Sequence, residues 1–436
     1  MRFPPVRQLG MWLIGVLVLG GCAINPATGK RELALVQVST AEEVELGRKA
    51  FPGAVQQMGG DYVDPALDRY LNEVGRGLAR LTPRADLPFE FKVVNDSTPN
   101  AFALPGGFIA ITRGLLVNLG NEAQLASVLG HEIGHVTARH SVQGMQRGAL
   151  MNVGLAVLSG VTGQASYGPL AQQTGKLAAG LLDNTYSREQ ERESDRLGVD
   201  YMVLAGYDPV GAVQLQEYFY RQVEQGAEPM WLSGLFRTHP FSVDRMRDLQ
   251  DYVAGSYSQI TNNPRYVLNA PRFLNAIAGL QKAKNGYKLY DQARQLEEQD
   301  RLSEAVALYL QAATTAPDQS LILAGLGMAY LKAGDVESGR RHLARAVQLD
   351  GGYFRSRMGL GYALLEKAQP VEASRELEAS MKLLPTLQGG YLLAESYDQG
   401  GQRGKAVELY RAVAEADPTG RLGKAAAERL SILEGR

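Results

Sequence analysis

A regular spacing in the C-terminal third of the chain constrains its fold more than any other feature of the sequence. Turn-forming residues recur at intervals of 34, 34 and 33, at Pro317, Gly351, Pro385 and Pro418. A small residue stands twelve positions before each of them: Ala305, Gly339, Ala373 and Ala406. Repetition at a fixed period indicates a stack of equivalent units that bury their apolar faces against one another. The spacing therefore predicts an array of helix pairs.

A period of about 34 residues is that of the tetratricopeptide repeat, two antiparallel helices with small residues where they cross. We predict about four repeats and a closing helix over residues 287–436, preceded by a linker over residues 271–286. Arrays of this kind present a concave groove to peptides or protein partners. The alternative is an unrelated helical bundle in which the spacing is a coincidence.

The rest of the chain is long enough for a second domain. The chain has 436 residues, more than one hydrophobic core usually accommodates. Hydrophobic residues make up 45% of it, which excludes a largely disordered protein. The net charge is −1 and no long basic block is present, so we expect no nucleic acid partner. Helical spacing over residues 41–80 and apolar runs at 90–95 and 107–112 predict an α+β domain over residues 41–270, mainly helical with a small sheet.

Residues 131–135 read His-Glu-Ile-Gly-His, a pattern that carries chemistry when it lies on a helix. Residues i and i+4 share a helix face, so His131 and His135 can bind one metal ion. Glu132 then lies beside the metal, where it can take a proton from bound water. The bare pattern arises by chance in about one chain in a hundred of this length, so the interpretation needs support from elsewhere.

A charged block at residues 187–198 is the natural source of a third ligand, because a catalytic zinc usually has three protein ligands and one open position. Glu191 and Asp195 are again i and i+4, so one can bind metal while the other holds a ligating imidazole. The alternative is a solvated helix face with salt bridges, the usual meaning of such a run. Three of the five histidines lie within ten residues of one another, which favours the metal.

Further blocks extend these two motifs. The first motif continues to His140, residues 100–107 read Asn-Ala-Phe-Ala-Leu-Pro-Gly-Gly, and residues 25–33 read Asn-Pro-Ala-Thr-Gly-Lys-Arg-Glu-Leu. Together the blocks resemble the gluzincin zinc metallopeptidases that include the HtpX-type and CAAX-prenyl-protease-type enzymes. The similarity is greatest to the periplasmic lipoprotein branch with C-terminal tetratricopeptide repeats, called BepA-like. Ser194 stands where Ala is usual in this family, and we expect no chemical consequence.

The resemblance implies a zincin-type endopeptidase domain that binds one Zn²⁺ per chain. It implies His131, His135 and Glu191 as the zinc ligands, with Glu193 as the fallback for the third. Asp195 is then expected to orient a ligating imidazole. Asn100, in the block that precedes the second strand, is also expected to support the ligands.

The charges of these side chains predict roles in peptide hydrolysis. Glu132 is the expected general base, and Arg245 or His140 is the expected donor to the tetrahedral oxyanion. His239, in a His-Pro element, is a candidate fourth ligand that keeps the enzyme latent, although such a pair in a loop is usually only a turn. In zinc peptidases an edge strand commonly pairs with the substrate backbone. The residues predicted for that strand are Phe108, Ile109, Ala110, Ile111 and Thr112.

The N-terminus predicts where the protein works. Residues 1–21 have the basic and apolar layout of a signal peptide, too short to span a bilayer comfortably. Residues 19–22 read Leu-Gly-Gly-Cys, similar to a lipoprotein box, so Cys22 is predicted to carry lipid at the start of a tether over residues 22–40. A simple secretion signal with an incidental Cys22 is the alternative. Because Ala23 is not Asp, we expect the inner leaflet of the outer membrane, facing the periplasm, with lipid as the membrane anchor.

Two points stay open at this stage. The Gly- and Ala-rich residues 148–182 fit either a helical pair packed on the core or a lid over the metal. The function is either hydrolysis of misfolded or stalled envelope proteins, or a gated or non-proteolytic scaffold for outer-membrane proteins that bind the repeat groove. Processing of prenylated proteins is a weak third possibility, because those relatives carry several membrane spans.

Overall fold

The structure is a computed structural model that describes residues 22–33, 38–147, 179–182, 185–224 and 238–435. The predicted signal peptide and all but residues 179–182 of the segment 148–182 lie outside these ranges. The strands are β1 (Cys22–Ile24), β2 (Arg31–Leu33), β3 (Glu90–Val94), β4 (Ala101–Leu104) and β5 (Phe108–Thr112). The helices before the repeats are α1 (Thr40–Gln57), α2 (Pro65–Ala79), α3 (Arg113–Leu116), α4 (Glu122–Thr137), α5 (His140–Arg147), α6 (Arg188–Leu204), α7 (Val210–Glu224), α8 (Val243–Tyr257) and α9 (Ala270–Ala276).

The helices of the repeat region follow in pairs. They are α10 (Ala278–Glu298) with α11 (Leu302–Thr315), α12 (Ser320–Lys332) with α13 (Val336–Leu349), α14 (Phe354–Glu366) with α15 (Pro370–Leu383), α16 (Leu387–Gln399) with α17 (Arg403–Ala416), and the closing helix α18 (Arg421–Glu434). The predicted class, a mainly helical α+β domain followed by an all-α tetratricopeptide-type solenoid, is confirmed. Among the described helices, none combines the length and the apolar character needed to cross a bilayer.

Close approach of helices explains the small residues of the repeats. The second helices of the four pairs begin 34, 34 and 33 residues apart, and the small residues predicted from the spacing are buried in them. Gly327 shows why bulk is excluded, because a Cβ there would lie 2.7 Å from Leu343 Cγ and 3.0 Å from the carbonyl oxygen of Gly339. The period in the sequence is therefore the period of the helix crossings.

The segment predicted as a linker is instead helical and packed. Residues 271–286 fall in α9 and the first turns of α10, and Phe273 and Ile277 have 0% exposed surface. The repeats also pack against the α+β domain. The Gln56 side chain bonds the Gly352 carbonyl at 2.7 Å and the Phe354 amide at 2.9 Å. The linker prediction was wrong because the apolar residues at this junction join one continuous core.

The small sheet has the order β3-β5-β4, with β5 parallel to β3 and antiparallel to β4. Residues 108–112 therefore form the central strand, and all five are buried. The prediction that they form a substrate-binding edge was wrong, because their backbone groups already pair with strands on both sides. β4, which the sequence did not reveal, forms one of the two edges, and its Ala101 lines the cleft beside His131.

The segment predicted as a tether begins as a docked hairpin. β1 and β2 pair antiparallel, and the turn between them starts at Asn25, which is only 2% exposed. The Asn25 side chain donates to the carbonyl of Thr137 at 3.2 Å. Since Thr137 ends α4, the N-terminal hairpin contacts the helix that carries the His-Glu-x-x-His motif. The tether prediction was wrong for this part of residues 22–40.

Candidate metal centre

Two helices cross closely enough to bring the predicted ligands together. A Cβ on Gly130 of α4 would lie 2.8 Å from the carbonyl oxygen of Gly198 of α6, and one on Gly134 would lie 3.1 Å from Ser194 Cα. Both helices begin at capped positions, with side chains of Asn121 and Ser187 accepting backbone hydrogen bonds. The absence of side chains at the crossing lets α4 and α6 pack backbone to backbone.

At this crossing, four side chains place potential metal-binding atoms within 4.8 Å of one another: His131, His135, Glu191 and His239. Nε2 of His131 lies 3.0 Å from Nε2 of His135 and 3.3 Å from Nδ1 of His239. Glu191 Oε1 lies 3.4 Å from His135 Nε2 and 3.0 Å from His239 Nδ1. The three predicted ligands and the candidate fourth thus converge. Glu193, the fallback, faces away and bonds His140.

The donor atoms fit a tetrahedral metal. Ligand bonds of about 2.0–2.1 Å imply separations of about 3.3 Å between tetrahedral ligand atoms, close to the distances seen here. His131 Nδ1 bonds Asp195 at 2.9 Å, so a neutral His131 directs the lone pair of Nε2 at His135. Lone pairs and a carboxylate that face one another repel unless a cation lies between them. Imidazole nitrogen with carboxylate oxygen is a donor set that zinc prefers.

Burial and charge set the protonation of the cluster. Burial lowers the pKa of His135 well below its ordinary value, which keeps it neutral as a ligand must be. Burial opposes ionisation of Glu191, but Arg245 and His239 hold the pKa of that carboxyl well below its usual range. Burial also opposes the charge on His239, yet Glu191 and Glu132 together raise its pKa.

Glu132 lies beside the cluster with one oxygen unused. The residue is 2% exposed, and its Oε2 has no hydrogen-bond partner in the structure. Burial raises the pKa of this carboxyl above its ordinary value. His131, Glu132 and His239 line a narrow cleft of about 50 Å³ whose other walls include Val128 and Phe219. His239 Nε2 lies 3.6 Å from Glu132 Oε1, so it approaches both the cluster and this carboxylate.

The imidazole of His131 is held by a pair of buried charges, which we call the Arg245 support (Asp195 and Arg245). Arg245 donates from Nε and Nη2 to Asp195 at 2.5 and 2.7 Å, and its Nη1 lies in ion-pair contact with Glu191 Oε2. All three guanidinium nitrogens are therefore engaged. The predicted orienting contact of Asp195 is present, and the oxyanion role of Arg245, whose side chain also lines the cleft, stays a prediction.

The imidazole of His135 is held from behind by the Glu193 support (His140 and Glu193). His140 Nδ1 lies 2.9 Å from His135 Nδ1, and its Nε2 lies 3.1 Å from Glu193 Oε2. His140 reaches this place because Arg139 turns the chain in the left-handed region, at φ 59°. The oxyanion role predicted for His140 is wrong, since His140 lies behind His135, on the side away from the cluster. Ser194 Oγ approaches His140 Nδ1 at 3.3 Å, and the expectation that Ser194 has no chemical consequence stays a prediction.

Two further residues differ from the expectations. Tyr186, which the sequence reasoning missed, stacks on His135 with ring centroids 3.8 Å apart, and its hydroxyl lies 3.0 Å from Ser141 Oγ. Its position directly before the capping residue of α6 was the available signal. Asn100 is buried, but its side-chain oxygen has no hydrogen-bond partner, so the structure gives no support for its predicted contact with the ligands.

A mainly helical domain with a His-His-Glu cluster beside a buried glutamate, followed by helical repeats, defines a metallopeptidase-type fold and site. The family model "Peptidase family M48" matches residues 65–253. A mitochondrial metalloendopeptidase OMA1 from Schizosaccharomyces pombe is 30% identical over 255 residues, which cover 56% of this chain and 72% of that protein. The chain belongs to peptidase family M48, as its motifs predicted.

Two bacterial relatives extend the similarity. The putative beta-barrel assembly-enhancing protease of Vibrio cholerae is 28% identical over 292 residues, covering 64% of this chain and 59% of that one. The beta-barrel assembly-enhancing protease of Escherichia coli K12 is 29% identical over 269 residues, covering 56% and 52%. The matched region thus spans little more than half the length of these curated relatives.

Proposed function

We propose that this protein is a zinc-dependent endopeptidase, with zinc held by His131, His135 and Glu191. The observation that carries the proposal is the convergence of these donor atoms, at separations of 3.0–3.6 Å, beside the unpartnered Oε2 of Glu132. When bound, zinc would act as a Lewis acid toward the scissile carbonyl and lower the pKa of water.

Glu132 performs the proton transfers in this proposal. Its free oxygen takes a proton from the attacking water, and the same carboxyl then delivers that proton to the departing amine. Burial, which raises the pKa of Glu132, makes the carboxylate a stronger base than an exposed one. Tyr186 and the two supports hold the ligating imidazoles in place during both steps.

We also propose that His239 keeps the site latent. Its Nδ1 occupies a fourth position around the cluster, and its Nε2 approaches the general base Glu132. His239 would have to leave this position before a peptide carbonyl could enter the cluster. The narrow cleft, about 50 Å³, fits a closed state of this kind.

The proposed setting is the periplasm, with Cys22 lipidated and anchored in the inner leaflet of the outer membrane. The proposed substrates are misfolded or stalled envelope proteins, and the proposed process is outer-membrane protein assembly. The names of the bacterial relatives, which refer to beta-barrel assembly, support this process. Partners would bind the repeat groove, where a cavity of about 510 Å³ lies between the repeats and the peptidase side, lined by Arg113 and Tyr290 among others.

The test is zinc content and casein cleavage of the purified full-length chain. We expect zinc in the wild type, and cleavage at least about 100-fold slower in Glu132→Gln, which removes the base. Glu189→Gln on the exposed face of α6 is the control and should cleave normally. Absence of zinc from the wild type would refute the metal site.

His239→Ala tests the latch in the same assay. We expect it to retain zinc on the three remaining ligands and to cleave casein several-fold faster than wild type. An unchanged or slower rate of casein cleavage would refute latency, because removing a residue that does not block the site cannot raise that rate.

A scaffold without proteolysis is the second candidate, favoured by one observation. The cleft at the metal site is small, whereas the cavity facing the repeats is about tenfold larger. In a strain that depends on this protein, full function of Glu132→Gln together with failure of a chain lacking residues 287–436 would favour the scaffold.

A further inference from the structure

The hairpin that follows Cys22 contacts the metal-binding helix at a defined place. The hairpin is closed by a bond from the Asn25 amide to the Lys30 carbonyl at 2.9 Å, and Asn25 Oδ1 accepts from the amide of Ala27 at 2.8 Å. The other end of the same side chain donates to Thr137, in the last turn of α4, where carbonyls lack helical partners. Asn25 therefore joins the hairpin turn to the end of the helix that bears His131 and His135.

Lys30 makes a second contact, which leads to a ligand. Its Nζ lies 2.7 Å from Glu193 Oε1, and the other oxygen of Glu193 lies 3.1 Å from His140 Nε2. His140 Nδ1 in turn lies 2.9 Å from His135 Nδ1. Three contacts in sequence thus connect the hairpin to the back of one predicted ligand, 105 residues away in the chain.

Only one arrangement of hydrogens satisfies every group in this series. For His135 to direct its Nε2 lone pair at a metal, its Nδ1 must carry the hydrogen and donate to His140 Nδ1. His140 must then carry its hydrogen on Nε2 and donate to Glu193. The carboxylate of Glu193, which ends this chain of donors, is balanced by the ammonium of Lys30.

The other imidazole, that of His131, is also backed by a carboxylate whose charge a cation balances, and there both the carboxylate and the cation are buried. His131 donates to Asp195, and the charge of Asp195 is balanced by Arg245. Lys30 occupies, for His135, the place that Arg245 occupies for His131. The equivalent cation is thus supplied by the N-terminal hairpin.

We propose that the hairpin of residues 22–33 is part of the metal centre, with Lys30 as a positioning residue that orients His135 through Glu193 and His140. The inference rests on the zinc site proposed above. Docking of the hairpin then sets the affinity for the metal. Since Asn25 follows Cys22 by three residues, a lipid on Cys22 would hold this end of α4 within about 10 Å of the membrane surface.

The test is zinc affinity, measured by competition with a chromogenic chelator on the full-length chain. Removing a partner that orients a ligating histidine costs about 10- to 100-fold in affinity. We expect Glu193→Gln to lose about tenfold, and Lys30→Ala about threefold because the lysine is more distant and its side chain is 66% exposed. Lys30→Arg keeps the charge and should bind nearly as wild type. Lys282→Ala, an exposed lysine on α10, is the matched control.

A double variant separates orientation from general stability. Lys30→Ala added to Glu193→Gln should weaken zinc binding no further, because both changes interrupt the same series of contacts. The thermal unfolding of the metal-free protein should be the same for Lys30→Ala and Lys282→Ala. Additive losses, or a lower unfolding temperature of metal-free Lys30→Ala, would overturn the proposal and assign the hairpin a purely structural role.

The outcomes also distinguish this inference from the proposed function. A wild-type protein that binds no zinc refutes the zinc peptidase itself. A wild type that binds zinc, with Lys30→Ala binding equally well, refutes only the role of the hairpin.

Discussion

The two histidines that we propose as metal ligands on one helix, His131 and His135, are held in different ways. His131 is backed by the Arg245 support, whose carboxylate and guanidinium are at least nine-tenths buried. His135 is backed by the Glu193 support, in which His140 is buried but the side chain of Glu193 is 18% exposed. Both arrangements direct a lone pair from Nε2 toward the cluster. The difference shows that one imidazole is oriented by a buried ion pair, and the other by a neutral imidazole whose own partner is an ion pair near the surface.

The difference has a physical consequence for robustness. Burial opposes the charge of Asp195, but the adjacent Arg245 lowers its pKa below the ordinary value. Burial lowers the pKa of His140, which keeps that ring neutral to a lower pH than a free imidazole. The Arg245 support, which is a buried ion pair, is expected to contribute more to metal affinity.

The largest expected effect is that of Asp195→Asn. The amide can donate to His131 Nδ1 and so favour the wrong tautomer, and it leaves Arg245 with one carboxylate partner in place of two. We expect zinc affinity to fall about 100-fold, measured by chelator competition. Asp251→Asn, an exposed position on α8, is the control. A loss below tenfold would contradict the importance assigned to the buried charges.

The next effect is that of His140→Phe, which keeps a ring behind His135 but removes both hydrogen bonds. We expect zinc affinity to fall about tenfold, less than for Asp195→Asn because no buried charge is lost. If His140→Phe proved the more damaging of the two in the same assay, the ranking of the two supports would be reversed.

In the metal-free protein, the Glu193 support should make the free energy of unfolding depend on pH between about 7 and 5, whereas the Arg245 support should not. Below the ordinary His value of 6.5, an unfolded chain binds a proton at His140 that the folded protein does not, because burial lowers the folded pKa. The free energy of unfolding therefore decreases as pH falls through this window, by at most about 1.4 kcal/mol per pH unit. Asp195, with a pKa below 3.8, stays ionised throughout. Urea unfolding between pH 7 and about 5 measures the change of the free energy of unfolding with pH, which should be larger in wild type than in His140→Phe. The same pH dependence in both proteins would contradict the prediction.

The smallest effect is expected from Ser194→Ala. The hydroxyl is a second, more distant neighbour of His140 Nδ1, at 3.3 Å, and His135 already occupies that nitrogen. We expect zinc affinity to change by about twofold or less, in line with a neutral hydrogen bond of about 0.5 kcal/mol. A tenfold loss would make Ser194 a required member of the Glu193 support.

Local patterns predicted which side chains meet at the candidate site. His131, Glu132 and His135 follow from helix periodicity, because residues i and i+4 share a face wherever the helix lies. Glu191 and Asp195 follow from the same rule on a second helix. The repeats could be predicted in the same way, because each unit contacts mainly its neighbours and the spacing of the small residues equals the spacing of the helix crossings.

Contacts between distant segments were not readable in this way. The position of His140 behind His135 depends on the left-handed turn at Arg139, which an ion pair with Glu43 stabilises. The sequence does not show this turn, and the oxyanion role was therefore predicted for His140 in error. Residues 108–112 were not recognised as the central strand of the sheet because β4, which pairs with them on one side, consists of only four apolar residues and gives little strand signal. The docked hairpin and Tyr186 were missed for the same reason, as no periodicity links them to α4.

The candidate ligands, the helices that carry them and the repeat architecture can be predicted from the sequence alone, because they depend on interactions between residues close together in the chain. The groups behind each candidate ligand, the strands at the sheet edges and the contact of the N-terminal hairpin with Glu193 are visible only in the tertiary structure. These features arise where segments separated by tens to hundreds of residues meet, such as Lys30 with Glu193. Their geometry is set by the packing of the whole core, which no local pattern encodes.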